Sequence, residues 1–349
     1  MFYLLLSIIV LIISFYLLNE VTDRFFVPSL DQVATKLKLS DDASGATLMA
    51  AGSSAPELFI AIIALTTGDN FDIGVGTIVG SALFNLLIII GAIGMIRTSK
   101  IAWQPMARDI IFYLISIGLL YWAYSSGSIT LFHVIIFLGV YIVYVIAVVL
   151  WKRILPHSDK QNPFNEEEEE EEDPAWKKYF KLFDIILEKL FAPKRFYGTN
   201  FLISVILIAG LSWALVESAV VISYALNIPK YIIGLTILAF GTSVPDMMSS
   251  IIVARQGRGG MAVSNALGSN IFDILIGLGL PWMVLIFITN KSIAVDTGEI
   301  STHILVLLGS VAGVLLLFLI NRWRINRTVG ITMILAYLTY LIYVIYSIN

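Results

Sequence analysis

Long apolar runs occupy most of this chain and limit it to a membrane-embedded fold. A helix needs roughly 20 mostly apolar residues to cross a bilayer, and about ten such runs can be marked along the sequence. Of the 349 residues, 58% are hydrophobic and 13% are charged. Because the runs are continuous rather than alternating apolar with polar, a β-barrel is disfavoured and an all-α membrane protein with about ten transmembrane helices is predicted. The runs lie at 2–18, 43–67, 73–96, 109–124, 129–151, 198–221, 231–254, 261–289, 302–321 and 328–347.

Two motif pairs of nearly the same sequence recur in the two parts of the chain. Gly52–Glu57 (GSSAPE) is followed by Gly80–Asn85 (GSALFN), and Gly241–Asp246 (GTSVPD) is followed by Gly268–Asp273 (GSNIFD). Each pair lies in a half with five apolar runs, and an odd number of crossings gives the halves opposite orientations. We therefore predict two inverted-topology five-helix halves, the architecture of secondary transporters with a binding site near the bilayer midplane.

A polar segment separates the halves and sets the predicted boundaries, with a first membrane half at 1–151, a linker at 152–197 and a second membrane half at 198–349. The linker holds seven consecutive glutamates, Glu166–Glu172, a run of like charge that we expect to be solvated. A calcium-sensing role for this run stays open, although the spacing of an EF-hand loop is missing. The following Trp176–Phe191 has a charged and an apolar helical face, which predicts an amphipathic helix on the inner membrane surface.

The positions of lysine and arginine predict which side of the membrane each loop faces. With the N-terminus outside and the linker cytoplasmic, all of the 22 Lys and Arg residues except Lys230 and Lys291 fall in inside loops, as the positive-inside rule requires. The first apolar run has neither a basic flank nor a small-residue cleavage site, so we interpret it as a span rather than a removable signal. We expect an integral multi-pass protein of the cell membrane, either a plasma or an inner membrane.

Two acidic residues lie deep in apolar runs, each directly after a proline. A charged carboxylate at the centre of a membrane helix costs about 2.5–3.5 kcal/mol on insertion scales. The four runs around Glu57 and Asp246 contain no Lys, Arg or His that could pair with them. A proton or a bound cation must therefore neutralise each acid, which favours a cation-binding role for both.

The motifs supply further oxygen ligands around these acids. Glycine, hydroxyl residues and proline together predict a broken or kinked helix in each repeat, which would free backbone carbonyls at membrane depth. With no cysteine and only three scattered histidines, the candidate ligands are all oxygen, which suits calcium, sodium or potassium. Close helix packing is an equally good reason for the glycines and most of the serines. The candidate ligands are the side chains of Glu57, Asp246, Asp273, Asn85, Ser54, Ser81, Ser243 and Ser269 and the carbonyls of Ala50, Ser53, Ala239 and Thr242.

Both repeats resemble those of the potassium-dependent sodium/calcium exchangers. The resemblance is carried by 45–59 and 76–85 in the first repeat and by 241–246 and 261–283 in the second. It implies the calcium/cation antiporter fold, with Glu57 and Asp246 as calcium ligands and the other candidate oxygens shared between calcium and sodium subsites. It also implies that an aspartate at the position of Asp273 goes with potassium dependence.

The sequence therefore predicts an antiporter that exchanges calcium, together with potassium, for sodium by alternating access. A calcium/proton exchanger is the nearest alternative, since protons on Glu57 and Asp246 would replace sodium, and a passive cation channel is a further one. A membrane enzyme is disfavoured because no nucleophile–base set is visible. We expect membrane lipid and inorganic cations as partners, no cofactor and no nucleic acid, and leave the oligomeric state open.

Overall fold

A computed structural model gives the fold and describes residues 2–36, 50–66, 70–96, 98–154, 180–191, 196–255, 257, 259–295 and 298–347. Nearly all of these residues are helical, and eight helices are long and apolar enough to cross a membrane. Two other apolar helices, Ala55–Thr66 and Lys230–Val244, are shorter and fall in the second and seventh predicted runs. The all-α membrane fold is confirmed, whereas the count of ten spans stays a prediction.

The first half combines α-helices with two π-helical segments and two short strands. Its elements are α1 (Phe2–Val21), π1 (Thr22–Phe26), α2 (Val27–Lys36), α3 (Ala50–Ser53), α4 (Ala55–Thr66), α5 (Phe71–Phe84), π2 (Asn85–Ile89), α6 (Ile90–Ile96), β1 (Ser99–Lys100), α7 (Trp103–Ser125), β2 (Ser128–Ile129) and α8 (Leu131–Ile154).

A short helix, α9, comes directly before the second half. The elements from there on are α9 (Lys181–Leu190), α10 (Tyr197–Leu226), α11 (Lys230–Ile233), π3 (Gly234–Leu238), α12 (Ala239–Arg255), α13 (Gly259–Phe272), π4 (Asp273–Leu278), α14 (Gly279–Thr289), β3 (Ile293–Ala294), α15 (Glu299–Ile320), β4 (Arg324–Ile325) and α16 (Arg327–Ser347).

The strand pairings reveal a two-fold relation between the halves. Strand β1 pairs antiparallel with β4, and β2 pairs antiparallel with β3. In their own halves, β1 and β3 come directly before α7 and α15, and β2 and β4 directly follow these helices. Exchanging the halves therefore converts one ribbon into the other, as two inverted repeats require.

Contacts between the halves define two faces of the bundle. We call the face where the chain leaves α8 for the linker the linker side, and the opposite face the distal side. The ring of Phe26 after α1 stacks on Phe201 at the start of α10, with centroids 5.5 Å apart, so α1 ends on the linker side. At the other face Lys230 Nζ donates a 2.8 Å hydrogen bond to Asn70 Oδ1, joining the loops before α11 and α5.

The two repeats meet where α5 crosses π3 with little side-chain material between them. A Cβ atom on Gly80 would lie 2.3 Å from the Leu235 carbonyl oxygen, and one on Gly234 would lie 2.6 Å from the Ile73 carbonyl oxygen. Contacts this close leave space only for glycine, which lets the two backbones touch. This crossing brings the polar residues of the first repeat against those of the second.

The interruptions of the repeat helices match the expectation in only one repeat. In the first, the helix breaks at Ser54, between α3 and α4. In the second, α12 continues through Gly241–Asp246, so the helix is not broken there, and a kink stays a prediction. The irregular turn comes earlier, at π3. A proline inside a buried membrane helix need not end it, because neighbouring groups can satisfy the carbonyl that its missing N–H leaves free.

The linker is described only in part. Helix α9 covers Lys181–Leu190, the C-terminal part of the amphipathic helix expected at Trp176–Phe191. The glutamate run Glu166–Glu172 lies outside the described residues.

Candidate functional site

Three acidic side chains are buried in the motifs of the two repeats. Glu57 lies in the first turn of α4, Asp246 in α12 and Asp273 at the start of π4, and their exposed fractions are 2%, 4% and 1%. They are close enough that Asp273 and Asp246 both act electrostatically on Glu57. Buried carboxylates within electrostatic range of one another repel, and a positive ligand near them would relieve that repulsion.

A π-helical segment begins at the same motif position in each repeat. Segment π2 starts at Asn85 and π4 starts at Asp273, the last residues of GSALFN and GSNIFD. A single π turn inside an α-helix shifts the side chains that follow it and occurs frequently at functional sites. The repeats therefore present an amide and a carboxylate from equivalent positions.

Several buried oxygens around the acids make no hydrogen bond to any described residue. Buried polar atoms without partners are rare in proteins, because each loses its contacts with water. Ser54 lies beside Asp273, and Thr242 lies beside Glu57. Oxygens left unpaired in this way fit a cation that takes oxygen ligands. The unpaired atoms include Glu57 Oε2, Asp273 Oδ1, Asn85 Oδ1 and Ser243 Oγ.

Hydroxyl groups from both repeats meet at the first turn of α12. Ser81 Oγ lies 3.3 Å from Thr242 Oγ1 and 3.5 Å from the Ala239 carbonyl oxygen. Thr242 Oγ1 also lies 3.1 Å from the Leu238 carbonyl oxygen, which accepts its hydrogen bond. The Ala239 carbonyl, expected to be a ligand, thus faces hydroxyl groups of both repeats.

The remaining candidate ligands are Ser269, Ala50 and Ser53, and the structure gives the position of each in its helix. Ser269 is buried and donates its hydroxyl to the Ala266 carbonyl of its own helix at 3.2 Å. Ala50 and Ser53 begin and end α3, directly before the break at Ser54. Among the described residues, no three acidic or histidine side chains converge closely enough to hold a metal ion by themselves. Hydroxyl, amide and carbonyl oxygens would have to complete any coordination shell.

One residue that the sequence interpretation missed, Asn270, orients the amide of Asn85. Asn270 is fully buried, and its Oδ1 accepts a 2.9 Å hydrogen bond from Asn85 Nδ2. Its own Nδ2 donates to the Ala82 carbonyl at 3.1 Å and to the Tyr113 hydroxyl at 3.0 Å. With its nitrogen held in this way, Asn85 keeps Oδ1 unpaired. Asn270 stands inside the second motif, but its partner is 185 positions away, so no local pattern indicates the role.

Comparison with models of known protein families shows which family the chain belongs to. The model of the sodium/calcium exchanger protein family matches residues 6–150 and 198–346, which is most of both halves. The chain belongs to the sodium/calcium exchanger family. Its members are transporters, and this exchanger is a calcium/cation antiporter built as an integral multi-pass membrane protein.

Curated relatives of this exchanger match nearly its whole length. Sodium/potassium/calcium exchanger 4 of Mus musculus is 28% identical, with 95% of this chain and 80% of the relative covered. Sodium/potassium/calcium exchanger 5 of Homo sapiens is 29% identical, with 95% and 81% covered.

Solved structures share the fold of this exchanger. The H+/Ca2+ exchanger CAX superposes with a TM-score of 0.71 at 13% identity, over 98% of this chain and 84% of the other. The sodium-calcium exchanger NCX_Mj, soaked with Na+ and Sr2+, superposes with a TM-score of 0.58 at 23% identity, over 97% and 98%. At these identities the likeness concerns the fold.

Proposed function

We propose that this exchanger moves calcium in one direction against sodium in the other, with potassium accompanying calcium. One observation carries the proposal, namely the buried cluster of Glu57, Asp246 and Asp273 with unpaired neutral oxygens from both repeats around it. Such a set suits hard cations of different charge that compete for overlapping oxygens. The relatives named as sodium/potassium/calcium exchangers support the same three ions.

In this proposal the acids bind calcium and neutral groups complete its shell. Glu57 and Asp246 are the calcium ligands, one from each repeat. The hydroxyl, amide and carbonyl candidates are divided between calcium and sodium subsites. The neutral set consists of Asn85, Ser54, Ser81, Ser243, Ser269 and the carbonyls of Ala50, Ser53, Ala239 and Thr242.

The charge of the site is the reason for proposing that potassium is transported with calcium. Fully ionised, Glu57, Asp246 and Asp273 carry three negative charges, and one calcium with one potassium supplies three positive charges. The position equivalent to Asp273 in the first repeat is the neutral Asn85, so the extra charge belongs to the second repeat alone. Asp273 is therefore the proposed potassium determinant.

Alternating access follows from the inverted halves, which let one central site face each side in turn. The proposed chain organisation keeps the membrane halves at 1–151 and 198–349 and a linker at 152–197. We place the linker in the cytoplasm and the N-terminus outside, in a plasma or inner membrane. No enzymatic activity and no cofactor form part of the proposal.

A calcium/proton exchanger is the competing proposal, because protons would also neutralise the buried carboxylates. The experiment that separates the two is calcium uptake into vesicles holding the purified protein, with outward sodium, potassium and proton gradients imposed one at a time. We expect uptake to follow the sodium gradient and to require potassium on the calcium side. Uptake that follows the proton gradient alone would contradict the proposal.

A further inference from the structure

Two adjacent residues of π1, Asp23 and Arg24, have opposite charges and different surroundings. They lie on the linker side, where α1 ends. Arg24 is surrounded by acids, with Nη1 at 3.2 Å from Glu20 Oε2 and Nη2 at 2.7 Å from Glu188 Oε1. A third acid, Asp184, has Oδ1 at 3.7 Å from Nη1. In the described part of the chain, Asp23 is not among the ion-pair partners of Arg24.

Two of these acids come from α9, which is docked on α1. The ring of Phe191 stacks on Phe25 with centroids 3.7 Å apart, and the ring of Phe180 stacks on Tyr16 at 4.2 Å. The Tyr16 hydroxyl also donates a 2.6 Å hydrogen bond to Asp184 Oδ1. These contacts, together with the ion pairs, hold the α9 acids against Arg24.

Asp23 connects this region with the ion site. It is exposed to solvent, and it acts electrostatically on the buried Asp246. Segment π1 also contacts α3, which holds candidate carbonyl ligands. Nearby, the ring of Phe15 on α1 fills the space beside Gly241 on α12. Asp23 is therefore a solvent-exposed acid on the linker side, in a segment that packs against α3 and within electrostatic range of Asp246.

We propose that Asp184 and Glu188 of α9 bind and compensate Arg24, so that Asp23 is free to attract cations from the linker side toward Asp246. The inference rests on the proposed function, because it takes the cations at the site to be transported. Charge of one sign along an approach route raises the local concentration of counter-ions. If Arg24 lost its acidic partners, its guanidinium would remain within a Debye length, about 8–10 Å, of Asp23. Its positive charge would then cancel much of the attraction that Asp23 exerts on cations.

The first test measures calcium exchange from each side of oriented vesicles. Asp23→Asn and the pair Asp184→Asn with Glu188→Gln should each raise the KM for calcium on the linker side by roughly two- to fivefold, the size expected for screened charges. The KM on the distal side and kcat should not change, and the effect should shrink at high salt. Lys189→Gln, on an exposed part of the same helix, is the matched control and should leave both KM values unchanged.

A rescue separates compensation of charge from simple loss of structure. Adding Arg24→Gln to the pair Asp184→Asn with Glu188→Gln should bring the linker-side KM back toward the wild-type value, although α9 then has even fewer contacts with α1. A KM that stays raised in the triple variant, or that rises equally on both sides, would overturn the inference.

A second measurement does not depend on transport. The chain has no native cysteine, so Asp23→Cys provides a unique thiol whose reaction rates with cationic and anionic methanethiosulfonates report the local potential. The ratio of cationic to anionic rates should fall when Asp184→Asn and Glu188→Gln are added, and recover with Arg24→Gln. An unchanged ratio would overturn the inference even if calcium transport is intact. Absent calcium transport in the wild type would instead contradict the proposed function, and the thiol ratio would still decide the electrostatic claim.

Discussion

The side-chain nitrogen of Asn85 donates a 2.9 Å hydrogen bond to Oδ1 of Asn270, across the interface between the two repeats. Because an amide has one nitrogen and one oxygen, this bond occupies the nitrogen of Asn85 and fixes the direction of its oxygen. The oxygen Oδ1 of Asn85 is left without a hydrogen-bond partner among the described residues. The second repeat thus orients a candidate ligand of the first.

Asn270→Leu should weaken calcium binding without removing any proposed ligand. The variant keeps the volume but loses the acceptor for Asn85, and one such hydrogen bond contributes about 1 kcal/mol. We expect the apparent calcium affinity, measured from the calcium dependence of exchange, to fall roughly five- to tenfold. Tyr113→Phe is the control, since it leaves the Asn85–Asn270 bond in place. Equal affinities in Asn270→Leu and wild type would rule out this orienting role.

Gly80→Ala should destabilise the protein through the contact between the repeats. The added Cβ would lie 2.3 Å from the Leu235 carbonyl oxygen and 2.7 Å from the Ala239 Cβ. Overpacking of this kind costs about 1–3 kcal/mol, so the Tm in detergent should fall. Gly118→Ala is the matched control, because its Cβ would meet no atom within 4 Å. Equal Tm values for the two variants would contradict the close approach of α5 and π3.

The sequence already pointed to the acids, the inverted halves and most of the candidate hydroxyl ligands, because each has a local signal. Glu57 and Asp246 are conspicuous as charges within apolar runs, and the repeated motifs indicate the symmetry. The π segments at Asn85 and Asp273 have no such signal, since a π turn depends on packing across the bundle. The same holds for Asn270, whose role arises only when the repeats meet. The motif predicts a broken or kinked helix near Pro245 but cannot decide between the two, because neighbouring groups in the bundle can keep such a helix continuous.

Asp273→Asn should remove the potassium requirement of calcium exchange. Asparagine keeps the size and one oxygen ligand but removes the charge that the proposed potassium ion balances. We expect sodium-driven calcium exchange to persist and to become independent of potassium, measured as calcium uptake with and without potassium. A wild type that needs no potassium would contradict the assignment. A variant inactive under every ion condition would identify Asp273 as a core calcium ligand instead.

Membrane orientation can be tested with single introduced thiols, since the chain has no native cysteine. Ser126 lies next to β2, on the distal side. Ser126→Cys should react with an impermeant thiol reagent from outside the cell. Ser158→Cys, in the linker beyond the described residues, should react only after the membrane is opened. The reverse pattern would overturn the proposed cytoplasmic linker.

The most direct measurement is sodium-driven calcium uptake by Glu57→Gln and Asp246→Asn in reconstituted vesicles. Both substitutions keep side-chain volume and remove one charge. The spans around them supply no basic residue that would be left unpaired. We predict that each variant elutes as a folded protein with a Tm at least as high as wild type, because one of several mutually repelling buried charges is removed, and that calcium uptake is lost. Near-normal calcium uptake in either variant would contradict the assignment of these acids as the calcium ligands.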